Sequence, residues 1–413
     1  MRMGDGVFVR SNSITALGQV NGNLNVGERA TIRASDPGGL VKVSGNVYCE
    51  GESRFECSLQ AASLRAEGSV LVLRDLELVG DVEVDGGMLE VRGCLRARHI
   101  DVDDMLVVEK EMEAEELSVG SRVEAKGNVR AAEINVGGSA EVGGKLSAGS
   151  VDVGGSLTIG SEASIDSIDV GGRVRVNGGR IGEIDVGASF ESGAPLEFDE
   201  IDVGGHVRLS GKSRGKDIDV CGSLDVEGDL EFDTIEVGGR VEIRGNARGD
   251  SMDVGGRILV QGSLGLSGTL DVGGRVEAGR EILAKEIGVG GELKAQKVTA
   301  IESIEVGGMM EVADGATAPV IEIGRSAEVK GPLSGESVTI GRRATAEDVH
   351  GERVTLERDC NARSVCGKDV TIEDGAKVSG DVLYTNELRV PKDLLTRPAQ
   401  KISETQFRKM QFY

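Results

Sequence analysis

The sequence predicts an all-β chain wound into a three-sided parallel β-helix with about 17 residues per coil. Three observations predict it. An apolar-x-apolar tripeptide followed by Gly returns every 17 residues, with occasional steps of 16 or 18. Inside each repeat the apolar residues fall in pairs spaced by two, the period of a strand with one buried face. The 413 residues include 63 Gly but only ten aromatic side chains and no Trp, as a narrow core of small residues requires.

The marker is clearest as Val151-Asp152-Val153, Ile168-Asp169-Val170, Ile184-Asp185-Val186 and Ile201-Asp202-Val203, then Ile218-Asp219-Val220, Ile235-Glu236-Val237, Met252-Asp253-Val254 and Leu270-Asp271-Val272. It continues through Val289, Val306, Ile323, Ile340, Leu356 and Ile372. Backward it reaches Val119, Val102 and Val84, and a similar spacing relates Val43, Val26 and Val9. Between Val43 and Val84 the register blurs, so an insertion is expected within 44–83. The repeats amount to roughly 22 coils.

One coil shows how the chain turns. Ile218 and Val220, Leu224 and Val226, Leu230 and Phe232 form three apolar pairs, each a short strand. Gly-Gly or polar-Gly steps separate them, where the backbone is expected to bend through conformations other residues avoid. Coils stacked about 4.8 Å apart pair each strand with its equivalents above and below, giving a rod on the order of 105 Å long. An isolated coil cannot offset the entropy of its own ordering and depends on both neighbours. A left-handed hexapeptide helix would need a multiple of six per coil, so 17 favours the right-handed form.

The ends depart from the repeat. Residues 1–385 are assigned to the solenoid and 386–413, which contain no Gly, to a tail or cap. Phe8, Tyr48, Phe55, Tyr384, Phe407, Phe412 and Tyr413 lie toward the two ends, where large side chains can plug a bore or make an end contact. The first strand, Val7-Phe8-Val9, begins at once, so an uncovered edge is expected there. From Asn386 on, six Lys or Arg face three acids, a net +3 in a chain whose total is −23. That tail fits a cap or loose end, a segment at 391–413 that meets a membrane surface or protein partner, or self-association with the acidic solenoid.

Residues 338–390 carry Ile340-Gly341 before a turn, the run IEDGAKVSGDV at 372–382 and the close LYTNELRV at 383–390. In these pieces, and in the repeat over most of the chain, the sequence resembles the bactofilins, a family of polymer-forming cytoskeletal proteins. The resemblance implies a triangular right-handed β-helix that joins end to end into filaments without nucleotide and serves as a scaffold. Some flagellar assembly proteins carry a similar Gly-punctuated β-helix.

Charge and composition exclude several classes. A net charge of −23 opposes non-specific binding to nucleic acid, so no nucleic-acid partner is expected. No apolar run approaches a membrane span and the first residues lack a secretory pattern, so a cytoplasmic protein is expected, with membrane association through the tail as the variant. Cys49, Cys57, Cys94, Cys221, Cys360 and Cys366 show no CxxC pairing and read as reduced thiols. The three His residues, His99, His206 and His350, fall coils apart, which offers no shared metal. Gly211-Lys212-Ser213 lacks the first Gly of a phosphate loop, with His206 in its place. No catalytic, cofactor or metal residues are assigned, and no enzyme is expected.

One charged pattern stands out. The middle marker residue is acidic in eight successive coils: Asp152, Asp169, Asp185, Asp202, Asp219, Glu236, Asp253 and Asp271. The row reads either as a solvated face neutralised by Arg173, His206, Arg240, Arg257 and Arg275, or as a stripe for divalent cations or a basic partner. The expected function is a non-enzymatic scaffold that self-assembles through Val7, Phe8 and Val9 at one end and Tyr384, Leu388 and Val390 at the other. The alternative is a monomeric or dimeric adaptor that docks a partner or membrane through its tail.

Overall fold

The computed structural model describes residues 6–391 and 397–409. The chain is a parallel β-solenoid of about 23 turns, 62% strand, with successive turns about 17 residues apart. It divides into two compact units, residues 1–205 and 206–413.

In the first unit the opening coil consists of β1 (Gly6–Val9), β2 (Ile14–Leu17) and β3 (Gln19–Val20). The second coil is β4 (Asn23–Val26), β5 (Ala30–Ala34) and β6 (Leu40–Val43). β1 pairs with β4, β2 with β5 and β3 with β6, all parallel, so each coil contributes one strand to each of three faces. The marker residues line up in register: Val84 pairs with Val102, then Val119, Val136, Val153, Val170, Val186 and Val203. Some corners are absorbed into one bent strand. Leu146–Val153 pairs with Val129–Arg130 on one face and with Glu133–Val136 on the next.

The second unit repeats this arrangement. Val220, Val237, Val254, Val272, Val289, Val306, Ile323, Ile340, Leu356 and Ile372 form one ladder. In both units the three faces turn mainly buried aliphatics inward, and Phe55, Phe190, Phe198 and Phe232, with small Ser53, Ser192 and Ser213, fit among them. Phe8 and Tyr48, by contrast, point outward and do not fill the bore.

Two expectations are corrected. The inserted residues lie before 44–83, at the corner Ser35–Gly39 between β5 and β6. Val26 pairs with Cys49, a step of 23, whereas Val9 pairs with Val26 at a step of 17. The register then runs on without interruption through Ala66 and Val84. Val43 belongs to another face, where it follows Val20. Its spacing matched the marker by coincidence, and Cys49 and Ala66, which hold the true marker positions, do not look like the valines of the other coils.

The second correction concerns glycine. The polar-Gly steps do use left-handed backbone, as at Gly178 (φ 77°), Gly211 (φ 71°), Gly315 (φ 94°) and Gly375 (φ 76°), but the Val-Gly-Gly corners do not. What demands Gly at the corner is close stacking. A Cβ on Gly171 would lie 2.5 Å from the carbonyl oxygen of Gly154 one coil below. Corners stacked at strand spacing leave no room for a side chain there.

Candidate functional site

The first coil has strand partners on one side only. Among the described residues, β1, β2 and β3 pair with the second coil and with nothing beyond. The alternation that faces Val9 inward turns Phe8 outward, 62% exposed, and Ile14 is 65% exposed. Val7, Thr15 and Leu17 point toward the core but stay half-exposed, with no described coil stacked over them, whereas Val9 and Val20 of the same coil are buried. The second coil's Leu24, Val26 and Ile32, covered by the first, are fully buried. The edge therefore combines backbone groups that have no described partner with unburied aliphatic surface.

The other end is treated differently. Strand Val382–Arg389 carries the solenoid past residue 385, and Leu388 lies half-buried in register with Val370. Leu383 and Tyr384 take a further partner, the short strand Gln400–Lys401, and the Ile402 amide donates to the Tyr384 carbonyl at 2.9 Å. Val390 follows the strand and is half-buried. The six-residue helix α1 (Glu404–Lys409) then folds back along the solenoid. Ser403 opens it with a reciprocal cap: the Gln406 amide donates to the Ser403 hydroxyl at 3.3 Å, and the Ser403 amide to Gln406 Oε1 at 2.9 Å.

Phe407 of α1 is 1% exposed and stacks on His350, ring centroids 4.6 Å apart. His350 sits at an outward strand position, yet the tail covers it to 2% exposure. Neither ring nitrogen has a hydrogen-bond partner, and burial pushes its pKa down. Lys368 borders the contact. Its ammonium lies 2.6 Å from Glu352 and 3.6 Å from Glu404 of α1, and 5.8 Å from the Phe407 ring centre. Of the sequence-predicted tail features, Met410, Phe412 and Tyr413 lie outside the described residues, as do residues 392–396. The sequence signal for α1 was present as Ser403-Glu404-Thr405-Gln406, a capping box, and was missed.

The outward residues of the face beneath α1 form a continuous ladder in the second unit. Arg214, Glu231 and Arg248 are charged. From Gly265 onward the ladder is uncharged: Leu283, Thr299, Thr317, Ser334, His350, Cys366 and Leu383.

The acidic row is real geometry. In the first unit Asp152, Asp169, Asp185 and Asp202 are in register on adjacent strands, and in the second Asp219, Glu236, Asp253 and Asp271 are. All eight are exposed. Strand spacing puts neighbours at a repulsion of about 0.9 kcal/mol in bulk water. Accordingly Asp185 titrates above its ordinary range, through partial desolvation first and then the charges of Asp169 and Asp202. The expected neutralising row does not serve these acids. Arg240 pairs with Asp225 at 3.2 Å, Arg275 with Glu277 at 3.1 Å and Glu292 at 3.2 Å, and His206 with the Ser223 hydroxyl at 2.8 Å. Arg173 donates to the Ser189 hydroxyl at 3.3 Å, and Arg257 stands in register between Arg240 and Arg275. These residues begin the next face, past the Gly-Gly corner, and pair along it. Among the described residues, none of the eight acids makes an ion pair.

Among the described residues, no group of three or more His, Cys, Asp or Glu is placed to hold a metal ion. All six Cys are free thiols. Burial pushes Cys49 and Cys360 up to about 12 and Cys57 and Cys366 up to about 11. These are packing thiols, poor nucleophiles at neutral pH. His99 stands apart, its Nδ1 2.8 Å from Asp81. No described helix is long and apolar enough to cross a membrane. Comparison with family models, with curated proteins and with solved structures returns no match for this chain.

Proposed function

We propose that this protein is a non-enzymatic scaffold whose copies associate end to end through the edge of the first coil. One observation carries the reading. β1 to β3 leave their outer backbone groups without a described partner, beside exposed Phe8 and Ile14 and half-exposed Val7, Thr15 and Leu17. Such an edge is a template for another β-structure, and a second copy supplies one of matching period. The likeness of residues 338–390 to the bactofilins supports the same reading, and the unpaired thiols agree with a reducing compartment. At the far end the surface available to a second copy is Asn386–Val390, since the strand 400–401 occupies the edge at Leu383 and Tyr384. The adaptor alternative needs the 391–413 tail to reach a partner, and the described part of that tail lies on the solenoid's own face.

The test is sedimentation and negative-stain microscopy of the wild type beside Phe8→Asp and Ile14→Asp. The wild type is expected to assemble with rising concentration, and both variants to stay monomeric with unchanged circular dichroism. A wild type that remains monomeric at every concentration ends the reading.

A further inference from the structure

We propose, building on the end-to-end reading above, that residues 400–409 form a releasable strap, which keeps one edge of the last coil from a second copy until His350 is protonated. The strap has two parts. Gln400–Lys401 takes up the strand edge at Leu383 and Tyr384, where the first coil of a second copy would otherwise continue the parallel ladder. α1 pins that strand through one buried side chain, Phe407, stacked on His350. A six-residue helix has no stability of its own, so α1 persists only while Phe407 stays in place. Losing that single contact therefore frees helix and strand together.

The closed strap carries a cost at the contact that holds it. Among the described residues, five buried side-chain polar atoms lack a hydrogen-bond partner, and three of them are at this end: both His350 ring nitrogens and the Thr385 hydroxyl. A neutral ring leaves one donor and one acceptor unmet there, whereas an imidazolium would bury two donors and a charge. The charged groups around it offer no relief. On strand Thr345–Leu356, which carries His350, Asp348 and Glu347 pair with Arg363, and Glu352 with Lys368 at 2.6 Å. The strand before it places Ser334 in register, with exposed Glu336 level with Glu352 at the corner. The strand after it places Cys366 there, a thiol held uncharged by burial. On α1, Glu404 is shared between Lys368 and Arg408, each at 3.6 Å, and the helix ends on Arg408 and Lys409. Lys368 adds a like charge 5.8 Å from the Phe407 ring centre. Docking therefore favours the neutral ring: the strap is fully held above the ordinary value of 6.5 and loosens as pH falls below it.

The test reads strap and assembly separately, in the full chain. In Phe8→Asp, which the end-to-end reading keeps monomeric, hydrogen exchange of 400–409 is followed against pH and corrected for intrinsic rate. It is expected to accelerate by up to about ten-fold per pH unit below about 6.5, and His350→Phe in the same background should remove that dependence. Protection that stays constant through the mildly acidic range would overturn the switch. Assembly is then measured by sedimentation at neutral pH with the first coil intact. Phe407→Ala and Ile402→Pro, which removes the amide bonded to Tyr384, should each lower the concentration at half-assembly about ten-fold, as one or two regained backbone hydrogen bonds would. Mild acid should do the same to the wild type and not to His350→Phe. A wild type that assembles as readily as both strap variants would overturn the strap and leave the first-coil reading standing. No assembly by any of them would end both.

Discussion

The first coil and the last are built from the same repeat but finish it differently. At the start, β1 to β3 stop the ladder with Val7, Thr15 and Leu17 half-exposed and two large hydrophobic residues in solvent. At the end, Gln400–Lys401 adds a partial rung and α1 covers the outward face, burying Phe407 and His350. A solenoid coil is held by neighbours on both sides, so a terminal coil must either borrow a cover from its own chain or find one elsewhere. The last coil shows the first solution, and the contrast is what makes the first coil the candidate for assembly.

Removing the borrowed cover has the largest expected effect. Phe407→Ala deletes the one aromatic anchor of α1 and should cost about 3–5 kcal/mol of local stability. Hydrogen exchange should accelerate across 345–389 and stay unchanged across 6–34, which has no such anchor. Acidification acts on the same end more gently. His350 is held below its ordinary 6.5 by burial. The folded state therefore binds this proton less well than the unfolded state. Its contribution is fully present above about 6.5 and is lost as pH falls from there toward the lowered folded value. Protection of 345–389 should fall over that window while the first coil, which has no His, is indifferent, and His350→Phe should abolish the difference. The smallest effect belongs to the open end. Phe8→Asp changes an exposed side chain with nothing stacked on it, so thermal stability should shift by no more than about 0.5 kcal/mol.

The period of the coil, its three faces and the parallel stacking were legible because burial on every face repeats with the backbone. Reading went wrong where chemistry and position part company. Cys49 holds a core position between Val26 and Ala66 where a marker valine was sought, and Val43 imitates a marker one face away. The Gly-Gly corners were visible, but their cause was not, since close approach between Gly171 and Gly154 is a contact across coils. The cap was hidden for a similar reason. Periodicity places His350 outward, and only the returning tail makes it a buried residue. The acidic row was read correctly as a row, yet its supposed counter-charges turn along the adjoining face to pair with Asp225, Glu277 and Glu292.

The ladder also bears on how such a chain can change in size. Gly222 and Gly239 occupy equivalent corners, and a Cβ on the second would meet the first's carbonyl in the same way as at Gly171. Excising residues 222–238 would join Cys221 to Gly239 with every remaining strand meeting a chemically equivalent neighbour. Length in this architecture is quantised by whole repeats: duplication or loss of a coil is nearly neutral, whereas gain or loss of a single residue must be absorbed at a corner. The six extra residues taken up at Ser35–Gly39 show a corner doing that.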